Sequence, residues 1–312
     1  MEKVKKAVIP AAGFGTRQYP GTSYVPKELF PIVDRDGYTK PMVQIAVEEA
    51  LSAGVEEVCI IVQPGGKEEN LRHFRPIPDE LRDRYAEKPW AYEQSDKLED
   101  MGRRLEFVEQ IHQEGLGHAV WCARDWVGDE PFLMLLGDHV FISKEARRCA
   151  ADLVEHYDEG SLTALSVIGP EDLSRFGIAS GRMKDDGREI AVNGFREKPD
   201  PETARQECKI EGMQEGEYAS HFGMHVFSPA IFDVLGGMIE KDRREAGEFQ
   251  LTAAQDVLCR REPYSAILMQ GQRYDIGTPV GLLDAQIALA LSSPHRLEVE
   301  RLWQKNREFL RN

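Results

Sequence analysis

The sequence predicts an α/β protein built on a Rossmann-like, doubly wound mixed sheet, with a β-rich extension in its second half and helices at its C-terminal end. Three observations predict this fold. A short apolar run at 7–9 ends in a glycine-rich turn, a second apolar run follows at 58–62, and a segment with helical spacing separates them. A strand, a helix and a second strand in this order form a βαβ unit, which places parallel strands in one sheet.

The first half of the chain supplies the elements of that unit. Apolar residues at helical spacing predict a helix from Pro41 to Ala53, and Gly54 is suited to cap its C-terminus. The run at 58–62 is apolar throughout, as expected of a parallel strand that is buried on both faces. Residues 64–104 are polar, charged and punctuated by prolines, so we interpret them as a helical or irregular insertion.

Later segments continue the alternation and then become rich in turns. Beyond Gly177, frequent turns predict a β-rich part that folds against the first sheet. We expect one domain at 1–292 and a C-terminal helix at 293–312. The remaining predicted strands lie at 105–108, 132–136, 162–168, 190–195 and 221–227, and the remaining predicted helices at 118–126, 248–259, 279–291 and about 294–310.

Composition argues against several classes of protein. The net charge of −15 over 312 residues disfavours a broad surface for nucleic acid or phospholipid. No apolar run approaches the roughly 20 residues of a membrane span, and the charged start lacks the features of a signal peptide. The five cysteines are scattered, with no C-x-x-C pair, which is typical of reduced thiols. We therefore expect a cytoplasmic protein with no nucleic-acid or membrane partner.

Residues 7–28 are the most informative segment. A strand that ends in glycines lets the backbone approach a ligand, and its free N–H groups can bind a phosphate or a base. The dinucleotide fingerprint G-x-G-x-x-G does not fit, because Gln18 occupies the third glycine position, and no P-loop string is present. The segment predicts a nucleoside triphosphate site, with an ordinary strand-to-loop turn as the alternative. The candidate residues are Ala11, Ala12, Gly13, Gly15, Thr16, Arg17 and Lys27.

Two carboxylates are candidate metal ligands. Asp138 lies just past the apolar run at 132–136, and Asp275 lies in a loop that leads into the helix at 279–291. Ligands bind at the carboxyl edge of open α/β sheets, and Mg²⁺ prefers hard oxygen ligands. If the two loops meet, we expect the two side chains to bind one Mg²⁺ ion together. The alternatives are a turn cap for Asp138 and a helix N-cap for Asp275.

A glutamine and a glycine pair suit recognition of a nucleotide base. Gln110 precedes Gly115 and Gly117, which open the predicted helix at 118–126. The glycines allow close approach of the backbone, and an amide side chain can both donate to and accept from a base edge. A plain helix-entry turn is the alternative.

Four residues of the second half suit a sugar phosphate. Glu197 can accept hydrogen bonds from sugar hydroxyls and Lys198 can neutralise a phosphate, with an exposed charge pair as the alternative. Gly177 and Gly223 lie beside predicted strands and mark either close approach of a ligand or a bulge.

Seven short segments stand in order along the chain. They are G-x-G-T-R with P-K-E at 13–28, G-L-G-H-A-V at 115–120, V-G-D-E-P-F at 127–132, G-D at 137–138, E-K-P at 197–199, E-F-Q-L-T at 248–252 and Y-D-I-G at 274–277. Together they resemble the bacterial UTP–glucose-1-phosphate uridylyltransferase family of sugar nucleotidyltransferases, over most of residues 5–290.

This resemblance implies a nucleotidyltransferase fold and a reaction between UTP and a sugar-1-phosphate, with glucose-1-phosphate the expected acceptor and Mg²⁺ the cofactor. It also implies a role for each matching residue. The implied roles are catalysis for Arg17, Lys27, Asp138 and Lys198, nucleotide binding for Ala11, Ala12, Gly13, Gly15, Thr16, Gln110 and Gly115, sugar-phosphate binding for Gly177, Glu197, Lys198 and Gly223, and metal binding for Asp138 and Asp275.

The chain departs from the family's pattern in four places. Ser23-Tyr24-Val25 replaces the usual Lys-Ala-Ile, which removes one positive charge near the phosphates. The turn at 34–40 is longer than usual, and 64–104 differs in composition. His221-Phe222 replaces a small aliphatic pair close to the sugar pocket. The identity of the sugar therefore stays open.

Other functions stay open as well. A close variant uses dTTP, or another sugar such as galactose or a uronic acid. A catalytically silent nucleotide-sugar-binding regulatory protein should have lost one of the motif's charged residues, and a dinucleotide-dependent oxidoreductase would need the missing third glycine. The helix at 297–310 has an incomplete apolar stripe, which docks either on its own domain or on another subunit, so a homo-oligomer is one expectation.

Overall fold

The computed structural model describes residues 3–311. Its strands are β1 (Lys6–Pro10), β2 (Pro31–Val33), β3 (Thr39–Pro41), β4 (Glu57–Val62), β5 (Leu105–Glu109), β6 (Phe132–Leu135), β7 (His139–Ser143), β8 (Ser161–Ile168), β9 (Gly177–Met183), β10 (Glu189–Glu197), β11 (Ile210–Glu211), β12 (Tyr218–Phe227), β13 (Tyr264–Leu268) and β14 (Gly271–Asp275). Its helices are α1 (Met42–Ser52), α2 (Gly66–His73), α3 (Pro89–Gly102), α4 (Leu116–Cys122), α5 (Arg124–Val127), α6 (Cys149–Glu155), α7 (Pro201–Glu207), α8 (Ala230–Glu240), α9 (Leu251–Leu258), α10 (Pro279–Leu291) and α11 (Arg296–Phe309).

Ten strands form one mixed sheet in the order β11-β9-β10-β13-β8-β12-β6-β1-β4-β5. β1 pairs in parallel with β4 and β6, and β4 pairs in parallel with β5. β12 lies antiparallel to both β6 and β8, and so joins the parallel half to the β-rich half. The predicted mixed α/β sheet is confirmed. The β-rich part continues this sheet, however, whereas the sequence predicted that it would fold against it.

The central strand β6 divides the hydrophobic core into two layers. All four of its residues are fully buried. Leu133 and Leu135 belong to one apolar cluster, and Phe132 and Met134 belong to the other. Successive side chains of a strand point to opposite faces, so a strand covered on both sides has a continuous apolar sequence.

The helices predicted in the first half are present with small changes. The helix predicted from Pro41 to Ala53 is α1, and Gly54 follows it in a left-handed conformation with φ of 84°. The helix predicted at 118–126 is divided into α4 and α5. The 64–104 segment forms α2 and α3, and buries Phe74 and Met101 in the first apolar cluster.

A small two-stranded sheet brings a distant segment to the end of β6. β14 pairs antiparallel with β7, and the register places Asp275 opposite His139. Because β7 follows the loop after β6, this pairing carries Asp275 to the same loop. α10 begins just beyond, where the Thr278 hydroxyl accepts a hydrogen bond from the Gly281 amide.

Among residues 3–311, no helix is long and apolar enough to cross a membrane. All five cysteines are free thiols. Burial raises the pKa of Cys59 and of Cys149 to about 12, so neither thiol ionises near neutral pH.

Truncation of Leu133 tests the importance of the central strand. Leu133→Ala should lower the free energy of unfolding by about 2–5 kcal/mol, because it leaves a cavity in the middle of the sheet. Urea unfolding followed by circular dichroism measures this change. The exposed control Ile111→Ala should change stability by less than about 0.5 kcal/mol, and equal effects of the two substitutions would contradict the assigned core.

Candidate active site

The candidate active site is a cavity of about 660 Å³ at the carboxyl ends of β1 and β6. Open α/β sheets bind their ligands at this edge. Most site residues predicted from the sequence line the cavity: Ala12, Gly13, Gly15, Thr16, Arg17, Lys27, Gln110, Gly115, Asp138, Glu197, Lys198 and Asp275. Three predicted residues lie outside that lining: Ala11, Gly177 and Gly223.

Two side chains donate hydrogen bonds to carbonyl groups of the glycine-rich loop. The Gln63 amide donates to the Gly13 carbonyl at 3.0 Å, and the Thr22 hydroxyl donates to the Gly15 carbonyl at 3.0 Å. Gly15 has φ of 62°, and a Cβ atom there would lie 2.8 Å from a methyl group of Thr22. The turn therefore requires glycine at this position.

A lysine–aspartate pair lies beside this loop. Lys27 Nζ is 2.5 Å from Asp138 Oδ2, and both side chains are largely buried, with 13% and 19% of their surfaces exposed. Burial by itself would raise the pKa of Asp138. The Lys27 ammonium, with His139, outweighs burial and holds that pKa well below its usual value. Asp138 is therefore ionised and can act as an oxygen ligand.

The two predicted metal ligands meet at the base of the cavity. Ligand atoms of Asp138, His139 and Asp275 lie within 4.8 Å of one another. The Ile276 amide donates to the Asp138 carbonyl at 3.0 Å, which ties the two loops together. Thr278, and not Asp275, caps α10, so the helix-cap alternative for Asp275 is wrong. One Asp275 oxygen accepts a hydrogen bond from the Gly277 amide at 2.7 Å.

Gln110 and Gly115 lie together in the wall of the cavity. The buried Gln110 amide group donates to the Gly115 carbonyl at 3.2 Å and lies 3.0 Å from Nδ1 of His118. Gly115 has φ of 106°, and a Cβ atom there would lie 2.8 Å from Glu248. Gly115 lines the cavity, and its close packing against Glu248 excludes a side chain at this position.

Glu197 ends β10, Lys198 follows it, and both line the cavity. The Thr252 hydroxyl donates to Glu197 Oε2 at 2.6 Å, and Lys198 Nζ lies 3.3 Å from Glu197 Oε1. Lys198 has φ of 43°, a conformation that is rare for a residue with a side chain. Its amide donates to the Phe176 carbonyl at 3.1 Å, which fixes this turn.

The two glycines predicted for the sugar lie beside the lining. A Cβ atom at Gly177 would lie 2.6 Å from Nδ1 of His221, so this strand packs closely against β12. Gly223 has φ of 93° and lies within a register shift of β12. Its carbonyl accepts a hydrogen bond from the Leu136 amide at 3.0 Å, so Gly223 shapes the loop that carries Asp138.

Several residues of the site were missed by the sequence analysis. The glutamine side chains of Gln63 and Gln113 and the aromatic ring of Phe14 have no motif that marks them. Glu248 and Gln250 line the cavity and belong to the E-F-Q-L-T segment, which was noted without a role. The sequence signal that could have identified Glu248 and Gln250 is therefore their position in a segment shared with the family.

Glu28 is an unusual buried acid next to Lys27. It is 3% exposed, and its Oε2 atom has no hydrogen-bond partner. Burial raises its pKa to about 7, although a backbone hydrogen bond and the Lys27 ammonium oppose the rise. Lys27 therefore has an ionised partner in Asp138 and, in Glu28, a neighbour that is about half protonated at neutral pH.

Comparison with known proteins assigns the class. Residues 6–292 match the family model for nucleotidyl transferases, and the chain belongs to this family. Among its relatives is the UTP–glucose-1-phosphate uridylyltransferase YngB of Bacillus subtilis (strain 168), with 37% identity over 94% of this chain and 92% of the relative. A UTP–glucose-1-phosphate uridylyltransferase of Staphylococcus saprophyticus is also 37% identical, over 93% of each chain. The resemblance inferred from the seven segments is thereby confirmed.

Solved structures agree with this assignment. The UTP-bound UDP-glucose pyrophosphorylase of Acinetobacter baumannii superposes with a TM-score of 0.77 at 26% identity, over 96% of this chain and 99% of that one. A UDP-glucose pyrophosphorylase complexed with UDP-glucose superposes with a TM-score of 0.72 at 26% identity, over 91% and 98% of the two chains.

The buried acid predicts a pH dependence of stability. Glu28 has a usual pKa of 4.5 and a pKa of about 7 in the folded state. Well below pH 4.5 its carboxyl is protonated in both states and has no effect on stability. As the pH rises to 7, the unfolded chain loses this proton first, so the free energy of unfolding falls by about 3 kcal/mol.

Glu28→Gln should remove this loss. In urea titrations without nucleotide or Mg²⁺, the variant should match the wild type at pH 4.5 and exceed its stability at pH 8. Glu80→Gln, at an exposed position, serves as the control and should show no such difference. A Glu28→Gln variant with the wild-type pH profile would rule out the raised pKa.

Proposed function

We propose that this chain transfers the uridylyl group of UTP to glucose-1-phosphate, forming UDP-glucose and pyrophosphate. The observation that carries the proposal is the meeting of Lys27, Asp138 and Asp275 beside a glycine-rich loop in one cavity. The names of the relatives support the choice of UTP and glucose-1-phosphate. The catalytic domain is proposed to be 1–292, followed by a C-terminal helix at 293–312.

The reaction requires positioning and charge neutralisation. An oxygen of the sugar-1-phosphate attacks the α-phosphorus of UTP and forms a new P–O bond, while the bond between the α-phosphorus and the bridging oxygen of the β-phosphate breaks. The electron pair of that bond leaves with pyrophosphate. Because the attacking phosphate is already ionised at neutral pH, no general base and no covalent enzyme intermediate are needed.

The glycine-rich loop and two cations are assigned to the triphosphate. Backbone N–H groups of Ala11, Ala12, Gly13, Gly15 and Thr16 would contact its oxygens. Arg17 would bind the β- and γ-phosphates, and forms no ion pair with any residue of the described chain. Lys27 would lie next to the reacting phosphate, where its charge offsets the charge that develops in the transition state.

A divalent cation fits the donor set of Asp138 and Asp275. Two ionisable oxygen ligands at one sheet edge suit Mg²⁺. Bound there, Mg²⁺ would neutralise phosphate charge and hold the leaving group. Without a metal ion, Lys27 places a positive charge next to the Asp138 carboxylate, which favours the ionised form of Asp138.

The base and the sugar are assigned to two different walls. Gln110 and Gly115 would recognise uracil. Glu197, with Gly177 and Gly223, would bind the sugar hydroxyls, and Lys198 would bind its phosphate. A variant that uses dTTP or another sugar would keep the same phosphate chemistry and differ at these two walls.

A catalytically silent regulatory protein is disfavoured, because Arg17, Lys27, Asp138 and Asp275 are all present and gathered in the cavity. The missing third glycine of the dinucleotide fingerprint likewise disfavours an oxidoreductase. The free thiols fit a reducing compartment, and we propose a cytoplasmic location.

We also propose that two copies of the chain associate through the last two helices. Within residues 3–311, most of the exposed large apolar side chains lie on α10 and α11. Val280, Leu283, Ile287 and Leu291 recur at spacings of three and four on α10 and are 40–76% exposed, which defines one apolar face. A face of this kind is favourable only when it is covered.

Pyrophosphate release tests the proposed reaction. UTP, dTTP, ATP, CTP and GTP are each combined with glucose-, galactose- and glucuronate-1-phosphate in the presence of Mg²⁺. We expect the highest rate with UTP and glucose-1-phosphate. A higher rate with another nucleotide or sugar would assign that compound as the substrate. If a folded protein binds a nucleotide but releases no pyrophosphate with any pair, the regulatory alternative is favoured.

Substitution of Asp138 tests its two proposed roles, binding of the metal ion and pairing with Lys27. Asp138→Ala should reduce turnover at least about a hundredfold, because it removes an oxygen ligand and leaves Lys27 without its partner. Turnover is measured across a range of Mg²⁺ concentrations, with thermal unfolding as a check on folding. Asp129→Ala, at an exposed position before β6, should retain wild-type activity. Full activity of Asp138→Ala would remove this residue from the mechanism.

A charge on the apolar face of α10 tests association. Leu283→Asp should convert a wild-type dimer, or a larger oligomer, to a monomer in light scattering, because the charge cannot be buried without a partner. Val167→Asp introduces the same charge at another exposed apolar position and should leave the mass unchanged. A monomeric wild-type protein would contradict the proposed association.

A further inference from the structure

Arg273 is a partly buried cation without an anionic partner. None of the carboxylates in residues 3–311 lies within the 4.0 Å of an ion pair with its guanidinium. Its contacts are the ring of Phe176, whose centroid lies 3.7 Å from the guanidinium carbon, and the Ser220 hydroxyl at 3.4 Å. A desolvated charge of this kind is unfavourable unless an opposite charge is supplied.

Arg273 lies on the side of β14 that faces the site. Residues two apart in a strand point to the same face, so Arg273 and Asp275 share a face of β14. The two residues that Arg273 contacts, Phe176 and Ser220, immediately precede Gly177 and His221. Arg273 therefore lies behind the wall assigned to the sugar.

The other charged groups of this wall are paired or neutral. Arg175 contacts the same Phe176 ring and is paired with Asp172 at 2.8 Å, and Lys198 lies 3.3 Å from Glu197. Burial, followed by the charge of Arg273, lowers the pKa of His221 to about 3, so its imidazole is neutral.

The charge of Arg273 persists under working conditions. An arginine guanidinium stays protonated at neutral pH, and Asp275 and Asp172 attract this charge only from beyond ion-pair distance. A fixed positive charge in a partly desolvated wall acts over several ångströms, because the surrounding protein screens it less than water does. Within residues 3–311 no carboxylate forms a direct ion pair with Arg273, so a bound anion would be its first ion-pair partner.

We propose that Arg273 is a binding residue of the acceptor subsite, where its guanidinium, which has no ion-pair partner in residues 3–311, attracts an anionic oxygen of the acceptor. This inference rests on the proposed uridylyl transfer. The anionic oxygen belongs either to the 1-phosphate, which every acceptor carries, or to a carboxylate on the sugar ring of a hexuronic acid 1-phosphate. A purely structural role, in which Arg273 only packs on Phe176, is the competing explanation.

Steady-state kinetics with two acceptors separates these possibilities. We compare glucose-1-phosphate and glucuronate-1-phosphate with Arg273→Gln, Arg273→Lys and the control Arg175→Gln, which changes a paired arginine on the same ring. Arg273→Gln should raise the KM for an acceptor about tenfold, the loss expected for one charged interaction. The KM for UTP and kcat should change less than twofold, Arg273→Lys should recover most of the affinity, and Arg175→Gln should have little effect.

The pattern between acceptors identifies the source of the anion. An equal rise for both acceptors assigns Arg273 to the 1-phosphate, and a rise confined to glucuronate-1-phosphate assigns it to the carboxylate. An unchanged KM for both acceptors, or equal losses in the Gln and Lys variants, overturns the proposal. If the wild type shows no turnover, the proposed reaction is contradicted. Calorimetric titration of the same variants with the two acceptors then still tests the role of Arg273.

Discussion

The contact between Lys27 and Asp138 is the interaction on which the rest of the site depends. A chain with a net charge of −15 must offer positive charge to a polyphosphate, and it does so where an ammonium is fixed by a carboxylate in a largely buried position. The Lys27 ammonium, with His139, keeps Asp138 ionised despite its burial. Burial of a third charge nearby is unfavourable, which is consistent with the raised pKa of Glu28 beside it. The charges of the site are thus arranged before any ligand arrives.

The fold makes this arrangement possible by bringing three distant segments to one edge. The loop after β1 carries the glycines and, further on, Lys27. The loop after β6 carries Asp138. The pairing of β14 with β7 brings Asp275 to the same place. The two parallel strands are buried on both faces, so the loops that they carry start from fixed positions. The geometry of the site is therefore a property of the sheet.

The sequence predicted the elements whose local pattern is strong. The buried strands β4 and β6 are continuous apolar runs, and α1 has helical spacing and a glycine after its last turn. Two of the missed elements have weaker patterns: β14 is G-Q-R-Y-D, which is half polar, and α8 contains two glycines. Both are stabilised by contacts with distant parts of the chain, which local periodicity cannot report. The same reason applies to the site: the motifs named its residues, but the meeting of Asp138 and Asp275 follows from a non-local strand pairing.

Gln18 shows how a single position separates two ways of using a glycine-rich turn. In a dinucleotide-binding fold this position is a glycine, because helix and strand must pack closely there. Here the Gln18 side chain is 7% exposed and donates to the Ile276 carbonyl at 2.6 Å, while the Ile276 amide donates to the Asp138 carbonyl. The backbone of Ile276 is thus hydrogen-bonded both to the glycine-rich turn and to the loop that carries Asp138. A change to glycine would detach the turn from this anchor without creating a helix behind it, so single substitutions at this position do not convert one type of nucleotide site into the other.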